Sequence, residues 1–276
     1  MQGFSNSFLI FFYQIALGGL FALAATPFHE LDRAFYKSTA GVLLVVAVLG
    51  FWGSTRLYWQ AFPQSTSLVI DIAFLFHVLF IAFLACYFFA LWDERQVLRA
   101  RCFSLSLLSG LLGLSLTSSN FYNASFWSFE TLLYPLSFFL SALLLGSVTV
   151  GMLIGHWYLI DTGQSLEPFM RVFRFFIVVL VTQSFFFIIL PLVLYYFGSS
   201  TTMVGLKTLW QHHLMLLSTR VLSAQVAPLI LSYMIWRTLK IPHTMAATGL
   251  FYIALLGVFV GEILGRQILA LTSLPF

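Results

Sequence analysis

Strongly charged residues interrupt long apolar stretches of this chain and are the first candidates for chemistry. Glu262 and Arg266 lie four residues apart in the last apolar stretch, and Arg220 lies within the preceding one. Asp71 lies near the start of an earlier stretch. Ionisable groups inside a membrane are costly and are normally paired, hydrated or functional. A carboxylate can accept a proton, and a buried guanidinium needs a carboxylate or a ligand oxygen.

These four residues predict one pocket. Glu262 and Arg266 share a helix face at their spacing and can form an ion pair. Arg220 requires Asp71, Glu262 or a ligand oxygen as its partner. We therefore expect all four side chains to converge between the third, seventh and eighth apolar stretches, in the outer half of the membrane. Two plainer interpretations stay open, because the ion pair could only lock helices together and Asp71 could only cap its helix.

The histidines suggest proton transfer more than haem binding. A b-type haem needs two axial imidazoles at one depth, but His77 lies mid-stretch, His156 near an inner end, and His212 and His213 near the outer surface. We therefore expect no haem. His77 is either a hydrogen-bonded core residue or a proton relay. Arg56, which closes the second stretch on the outer side, completes the set of candidate residues.

The composition requires a membrane around these residues. Of 276 residues, 61% are hydrophobic and only 8% are charged, which excludes an ordinary soluble domain. The polar stretches are too short to fold by themselves, so we expect a single integral membrane domain over residues 1–276. The net charge of +4 is spread over several loops, which argues against nucleic-acid binding. Cys86 and Cys102 have no metal-site or disulfide-framework spacing and are interpreted as apolar core residues.

Apolar stretches long enough to cross a bilayer define the fold class. About 20 apolar residues are needed for each helix, and eight stretches qualify. The sequence thus predicts an all-α polytopic bundle. The first stretch lacks a preceding Lys or Arg, so we interpret it as a retained span and not a cleaved signal. The predicted spans are 6–26, 37–55, 67–92, 102–118, 131–160, 172–197, 210–236 and 244–272.

The basic residues orient these spans. Two basic residues, Arg56 and Lys207, lie in loops on one side, against nine on the other. Because Lys and Arg accumulate in cytoplasmic loops, the side with nine should be cytoplasmic and both termini outside. The nine are Arg33, Lys37, Arg95, Arg99, Arg101, Arg171, Arg174, Arg237 and Lys240.

Glycine and proline within the spans indicate close packing and helix distortion. Gly257, Gly261 and Gly265 recur at four-residue intervals and permit close backbone approach along one face of the last span. Pro135, Pro191 and Pro228 should kink the fifth to seventh spans.

Three motifs resemble the membrane-anchor subunit family of dimethyl sulfoxide reductase. The last span reads Gly261-Glu262-Ile263-Leu264-Gly265-Arg266, similar to that family's Gly-Glu-x-x-Gly-Arg. Span seven contains Arg220-Val221 where the family has arginine followed by an aliphatic residue. The polar, aromatic segment 118–130, followed by Pro135 and Phe138-Phe139, resembles the approach to the family's fifth helix.

The resemblance implies a protein of the bacterial inner (cytoplasmic) membrane that anchors an iron–sulfur subunit and a catalytic subunit. It also implies exchange of electrons with menaquinone or another quinone, without haem. One feature departs from the family, which carries a histidine after helix two and a glutamate early in helix three. This chain has Arg56-Leu57-Tyr58-Trp59 and Asp71 at those places.

Three functions stay open at this point. The leading hypothesis is a non-catalytic subunit that binds quinone near the outer face and passes electrons to or from the iron–sulfur partner. Asp71, Glu262 and His77 would accept its protons and phenylalanine-rich faces would hold its tail. No cysteine or histidine set can build a redox cluster, so a partner must supply it. The alternatives are a small-solute or ion transporter and a diverged b-type cytochrome.

Overall fold

The chain folds almost entirely into α-helices. A computed structural model describes residues 3–26, 30–61, 68–122, 128–161, 163–241 and 243–276, and no strand occurs in these ranges. A 3₁₀ turn, Ser119–Phe121, follows the fourth helix. The helices are α1 Phe4–Ala24, α2 Arg33–Ala61, α3 Leu68–Ala90, α4 Gln96–Ser118, α5 Phe129–Ile160, α6 Glu167–Phe197, α7 Ser200–His212, α8 Leu214–Val221, α9 Ala227–Lys240 and α10 Thr244–Thr272.

Eight helical segments are long and apolar enough to cross a membrane, as the sequence predicts. They confirm an all-α polytopic bundle and an integral, multi-pass membrane protein. The seventh, Leu214–Lys240, consists of α8, a short π-helical segment and α9. Since the number of spans is even, α1 begins and α10 ends at the same face, which we call the terminal face. The positive-inside rule predicts that this face is outside.

The segment before span seven differs from the prediction. Span seven was expected to start at residue 210, but Ser200–His212 forms a separate helix, α7, and the span starts at Leu214. Ser199 caps α7 through its hydroxyl, and the buried Glu130 carboxylate accepts hydrogen bonds from the Ser199 N–H at 2.6 Å and the Thr202 hydroxyl at 2.7 Å. These capping groups fix α7 in place, and a hydropathy pattern does not reveal them.

Helices α1 and α5 form the centre of the bundle. Their backbones touch at Gly18 and Gly146, because a Cβ at Gly146 would lie 1.8 Å from the Gly18 carbonyl carbon. Only glycine permits this approach. Helices α2 and α4 lie on one side of this pair, with α3 packed on both, while α6 and α10 lie on the other side, with α9 packed on both. The bundle thus has two halves joined along the α1–α5 contact.

Span seven is interrupted where it meets α10. His213 leaves helical geometry before α8, and a π-helical segment, Leu222–Val226, separates α8 from α9 near Pro228. Against this segment lie Gly261, where a Cβ would be 2.3 Å from that of Ala224, and Gly265, where it would be 2.5 Å from Arg220 Nε. The glycine face of α10 therefore brings Arg220 directly against that helix.

Candidate functional site

Three of the four predicted charged residues meet in one place. Arg220 lies on α8, about 9 Å along the helix from its start, and Glu262 and Arg266 lie in the part of α10 nearer the terminal face. All three side chains are at most 2% exposed. We call this group, with Gln183 of α6, the charged cluster.

Glu262 is the acceptor at the centre of the charged cluster. Arg220 Nη2 lies 3.4 Å from its Oε1 and Arg266 Nη2 lies 3.4 Å from its Oε2. Gln183 Nε2 also donates to Oε1, at 2.9 Å. The carboxylate thereby binds both guanidinium groups and a fixed amide, which is the kind of pairing that a charge needs away from water.

Aromatic rings and the end of the chain enclose the charged cluster. The Arg220 guanidinium lies 4.2 Å from the Phe187 ring centroid, and the Arg266 guanidinium lies 5.0 Å from that of Phe138. Residues 273–276 turn back into the bundle after Ser273, which has a φ of 58°. Phe276 is buried and stacks on Phe187 at 6.3 Å. The cluster is therefore closed on the side of the terminal face.

Asp71 does not join the charged cluster, so the prediction of a four-residue pocket is wrong on this point. Its Oδ1 instead accepts a hydrogen bond from the Tyr58 hydroxyl at 2.7 Å. Helix α3 packs mainly along α4 and also against α2. The central helix α1 and helix α5 stand between this half and α10. The sequence indicated the depth of Asp71 but not its neighbours around the bundle.

A second candidate site lies between α1, α2, α3 and α4, beside Asp71. Its cavity, which we call the aromatic cavity, has a volume of about 330 Å³. The walls come from the ends of these helices at the terminal face. The lining residues that carry polar groups or rings are Asn6, Tyr13, Phe51, Ser54, Tyr58, Phe74, His77, Thr117, Asn120 and Phe121.

His77 is held in a defined orientation in the wall of the aromatic cavity. Its Nε2 lies 3.2 Å from the Thr117 hydroxyl oxygen, and its ring centroid lies 4.4 Å from that of Tyr13. The Thr117 hydroxyl donates its one hydrogen to the Gly113 carbonyl at 2.8 Å. Thr117 can therefore only accept from His77, so Nε2 carries the proton in the neutral ring and Nδ1 is the hydrogen-bond acceptor.

Tyr58 is the second polar residue of interest in the wall of the aromatic cavity. Its ring stacks on Phe74 with centroids 4.3 Å apart and an interplanar angle of 7°. Its hydroxyl donates its hydrogen to Asp71, so toward any other group the hydroxyl can act only as an acceptor. Asp71 is thus linked to the wall of the aromatic cavity by its hydrogen bond with Tyr58.

The remaining predicted residues lie apart from both sites. Arg56 is exposed on α2, with its guanidinium 5.7 Å from the Trp52 ring. His156 is exposed near the end of α5 and lies 3.3 Å from the Tyr252 hydroxyl. In the segment 118–130, residues 123–127 lie outside the described part of the chain.

No family model, curated protein or solved structure matches this chain. The resemblance to the dimethyl sulfoxide reductase anchors therefore rests on the sequence motifs alone.

Sequence reasoning missed three residues that shape these sites. Tyr58 and Thr117 are common residue types with no spacing signal, and their roles depend on helix packing. Gln183 did carry a signal, since it is a polar amide in the middle of the sixth apolar stretch. A search for charged residues alone passes over such an amide, although it must also find a partner in the membrane.

Proposed function

We propose that this chain is the membrane subunit of a respiratory-type oxidoreductase complex and binds quinone or quinol in the aromatic cavity. A partner iron–sulfur subunit would exchange the electrons at the terminal face, and a catalytic subunit would complete the complex. The observation that supports this best is that His77 and Tyr58, two residues able to accept a hydrogen bond, line one aromatic cavity.

The size and lining of the aromatic cavity suit a quinone ring. Its volume of about 330 Å³ falls within the range of about 300–1,000 Å³ that is usual for small-molecule sites. The stacked rings of Tyr58 and Phe74, with Phe51 at 5.5 Å from Phe74, offer flat apolar walls. A planar aromatic ligand gains from offset or edge contacts with such rings.

The two acceptors fit the proton chemistry of quinol oxidation. A quinol that becomes a quinone loses two protons and two electrons. One hydroxyl proton would go to His77 Nδ1 and the other to the Tyr58 oxygen as Tyr58 passes its own proton to Asp71. The two electrons would go to the partner's iron–sulfur centre, or come from it in the reverse reaction.

The redox centre belongs to the partner in this proposal. Among the described residues, no three His, Cys, Asp or Glu side chains come together in a way that could hold a metal ion. In this proposal the chain binds the quinone and its protons, within the bacterial inner membrane, while the partner carries the electrons.

Ligand binding to the purified protein tests this proposal. Titration with a short-chain menaquinone analogue should quench the tyrosine and tryptophan fluorescence in a saturable way. His77→Leu should weaken binding at least tenfold, whereas His156→Leu, which alters an exposed histidine, should bind as the wild type does. No saturable quenching, or equal binding by both variants, would refute the site. Purification of the native complex and solvent extraction would identify the partner subunits and the quinone.

The interruption of span seven favours a small-solute or ion transporter as a second candidate. Unwound segments beside buried charges form the binding sites of many transporters, and here the π-helical segment Leu222–Val226 directly follows α8, which carries Arg220. Chloride efflux from reconstituted vesicles, followed with an ion-selective electrode, tests the candidate. Efflux above that of protein-free vesicles, and lost in Arg220→Gln, would support it over the quinone proposal.

A further inference from the structure

An open groove lies between the last turns of α6 and helix α7, which we call the α6–α7 groove. Its volume is about 700 Å³, roughly twice that of the aromatic cavity. Most of its apolar lining side chains are exposed, so in an integral membrane protein they face lipid. The lining residues that matter for a ligand are Ile188, Leu192, Tyr195, Val204, Lys207 and Trp210.

One end of the α6–α7 groove lies at the terminal face. The start of α7 binds the Glu130 carboxylate at the beginning of α5, and a Cβ at Gly205 would lie 2.5 Å from the Thr272 carbonyl oxygen at the end of α10. Lys207 follows Gly205 by two residues and therefore lies at the level of this face. In the other direction the groove extends to Ile188, about 14 Å along α6 from the end of that helix and within its apolar span.

The polar groups of the groove suit an amphiphile with a negative head. Lys207 is the one charged side chain among the described residues that line the groove, and it is exposed. It forms no ion pair within the described part of the chain. Tyr195 and Trp210 add amphipathic rings, which membrane proteins place at the level of lipid headgroups. A loop of another protein fits less well, because its backbone groups would find no water along the apolar walls.

We propose that the α6–α7 groove binds one anionic phospholipid, with its phosphate beside the Lys207 ammonium group and an acyl chain along Ile188 and Leu192. The negative headgroup is attracted by the lysine. The concave walls give the acyl chain more van der Waals contacts than a flat lipid-facing surface does. This site is independent of quinone binding, because the aromatic cavity lies among α1–α4.

Native mass spectrometry of the full chain tests the lipid site without any quinone. The delipidated protein in a neutral detergent would be titrated separately with phosphatidylglycerol and with phosphatidylcholine of the same acyl chains. One phosphatidylglycerol should bind in a saturable way, about fivefold more tightly than phosphatidylcholine, which is the factor expected for one lysine beside an anionic lipid. Equal affinities for the two lipids would overturn the proposal.

A pair of charge variants locates the headgroup. Lys207→Gln should lower the affinity for phosphatidylglycerol about fivefold and leave that for phosphatidylcholine unchanged. Arg56→Gln removes one exposed positive charge toward the same face, outside the groove, and should change neither affinity. Equal losses in the two variants would show that only the total charge of the face matters, which contradicts the site.

A pair of volume variants locates the acyl chain. Leu192→Trp fills the groove and should weaken the binding of both lipids at least fivefold, whereas Val178→Trp, on an exposed part of α6 outside the groove, should bind as the wild type does. Both side chains are exposed, so both variants should fold. Unchanged binding in Leu192→Trp would refute the groove as the site. A photoreactive label on Val204→Cys that captures protein and no lipid in native membranes would also overturn the proposal.

Discussion

The aromatic cavity and the charged cluster place polar groups in the membrane in opposite ways. In the aromatic cavity His77 and Tyr58 are neutral and partly exposed, each makes a defined hydrogen bond, and open volume remains beside them. In the charged cluster three charges and an amide are packed into direct contact and closed from solvent. The aromatic cavity has room for an organic ligand beside groups that can accept a hydrogen bond. In the charged cluster the Glu262 carboxylate is already bound by donors of the protein.

The contrast between the two regions indicates that a polar residue beside a cavity is a better candidate for ligand binding than a charged residue already paired within the protein. Charged residues attract attention in an apolar sequence, yet Glu262 is already bound by two arginines and Gln183. His77 and Tyr58 are less conspicuous, but both carry atoms that can accept a hydrogen bond and both line a cavity. Stability should therefore depend most on the charged cluster and quinone binding most on the aromatic cavity.

The largest effect on stability should come from Glu262→Gln. This change removes the one carboxylate that the two buried arginines share, at almost constant shape. Breaking a buried pair in this way costs about 3–5 kcal/mol of unfolding free energy. Denaturant unfolding in mixed micelles measures it.

Glu167→Gln is the matched control for that change. Glu167 also binds two arginines, Arg171 at 3.4 Å and Arg174 at 3.6 Å, but it is 48% exposed. Exposed pairs contribute at most about 1 kcal/mol. Equal losses in the two variants would show that enclosure of the charged cluster is not what makes it important.

The contact between the two halves should tolerate almost no added volume. In Gly146→Ala the new methyl group would lie 1.8 Å from the Gly18 backbone, so α1 and α5 must separate. We expect a loss of about 1–3 kcal/mol. Gly249→Ala, where no atom lies within 4 Å of the added carbon, should change the unfolding free energy by less than about 0.5 kcal/mol. A tolerated Gly146→Ala would refute the close contact.

Tyr58→Phe should separate binding from stability. It removes the hydroxyl that links the aromatic cavity to Asp71 while keeping the ring stacked on Phe74. Loss of one hydrogen bond predicts about five- to tenfold weaker binding of the menaquinone analogue. Tyr252→Phe, which removes a hydroxyl outside the cavity, is the control. Unchanged affinity in Tyr58→Phe would remove Tyr58 from the site.

The smallest effect is expected for Arg56→Gln. Arg56 is exposed over Trp52 and contacts neither the aromatic cavity nor the charged cluster. Both the unfolding free energy, within about 0.5 kcal/mol, and the quinone affinity should stay as in the wild type. A clear loss of quinone affinity would extend the aromatic cavity toward Arg56 and weaken the contrast between the two regions.

Much of the architecture could be predicted from the sequence. Hydrophobic length alone identified eight spans, because each helix must satisfy its own backbone in lipid. Four-residue spacing correctly placed Glu262 and Arg266 together, and the glycine spacing predicted a close approach to one face of α10, which span seven makes.

The assembly of the sites could not be predicted in the same way. Depth along a helix follows from residue number, but the order of helices around the bundle does not. Asp71 and Glu262 therefore looked like neighbours, although Asp71 is bound to Tyr58 in the other half. The role of Thr117 in orienting His77 depends on the packing of α3 along α4 and has no signature in either segment.

Photoaffinity labelling with an azido-quinone tests the central claim most directly. After illumination of the purified protein, peptide mapping should place the label on residues 50–58, 70–77 or 114–121, which line the aromatic cavity. Excess menaquinone analogue should prevent this labelling, and His77→Leu should reduce it. Labelling confined to the peptides of α8 and α10, or unaffected by the competitor, would contradict the assignment of quinone binding to the aromatic cavity.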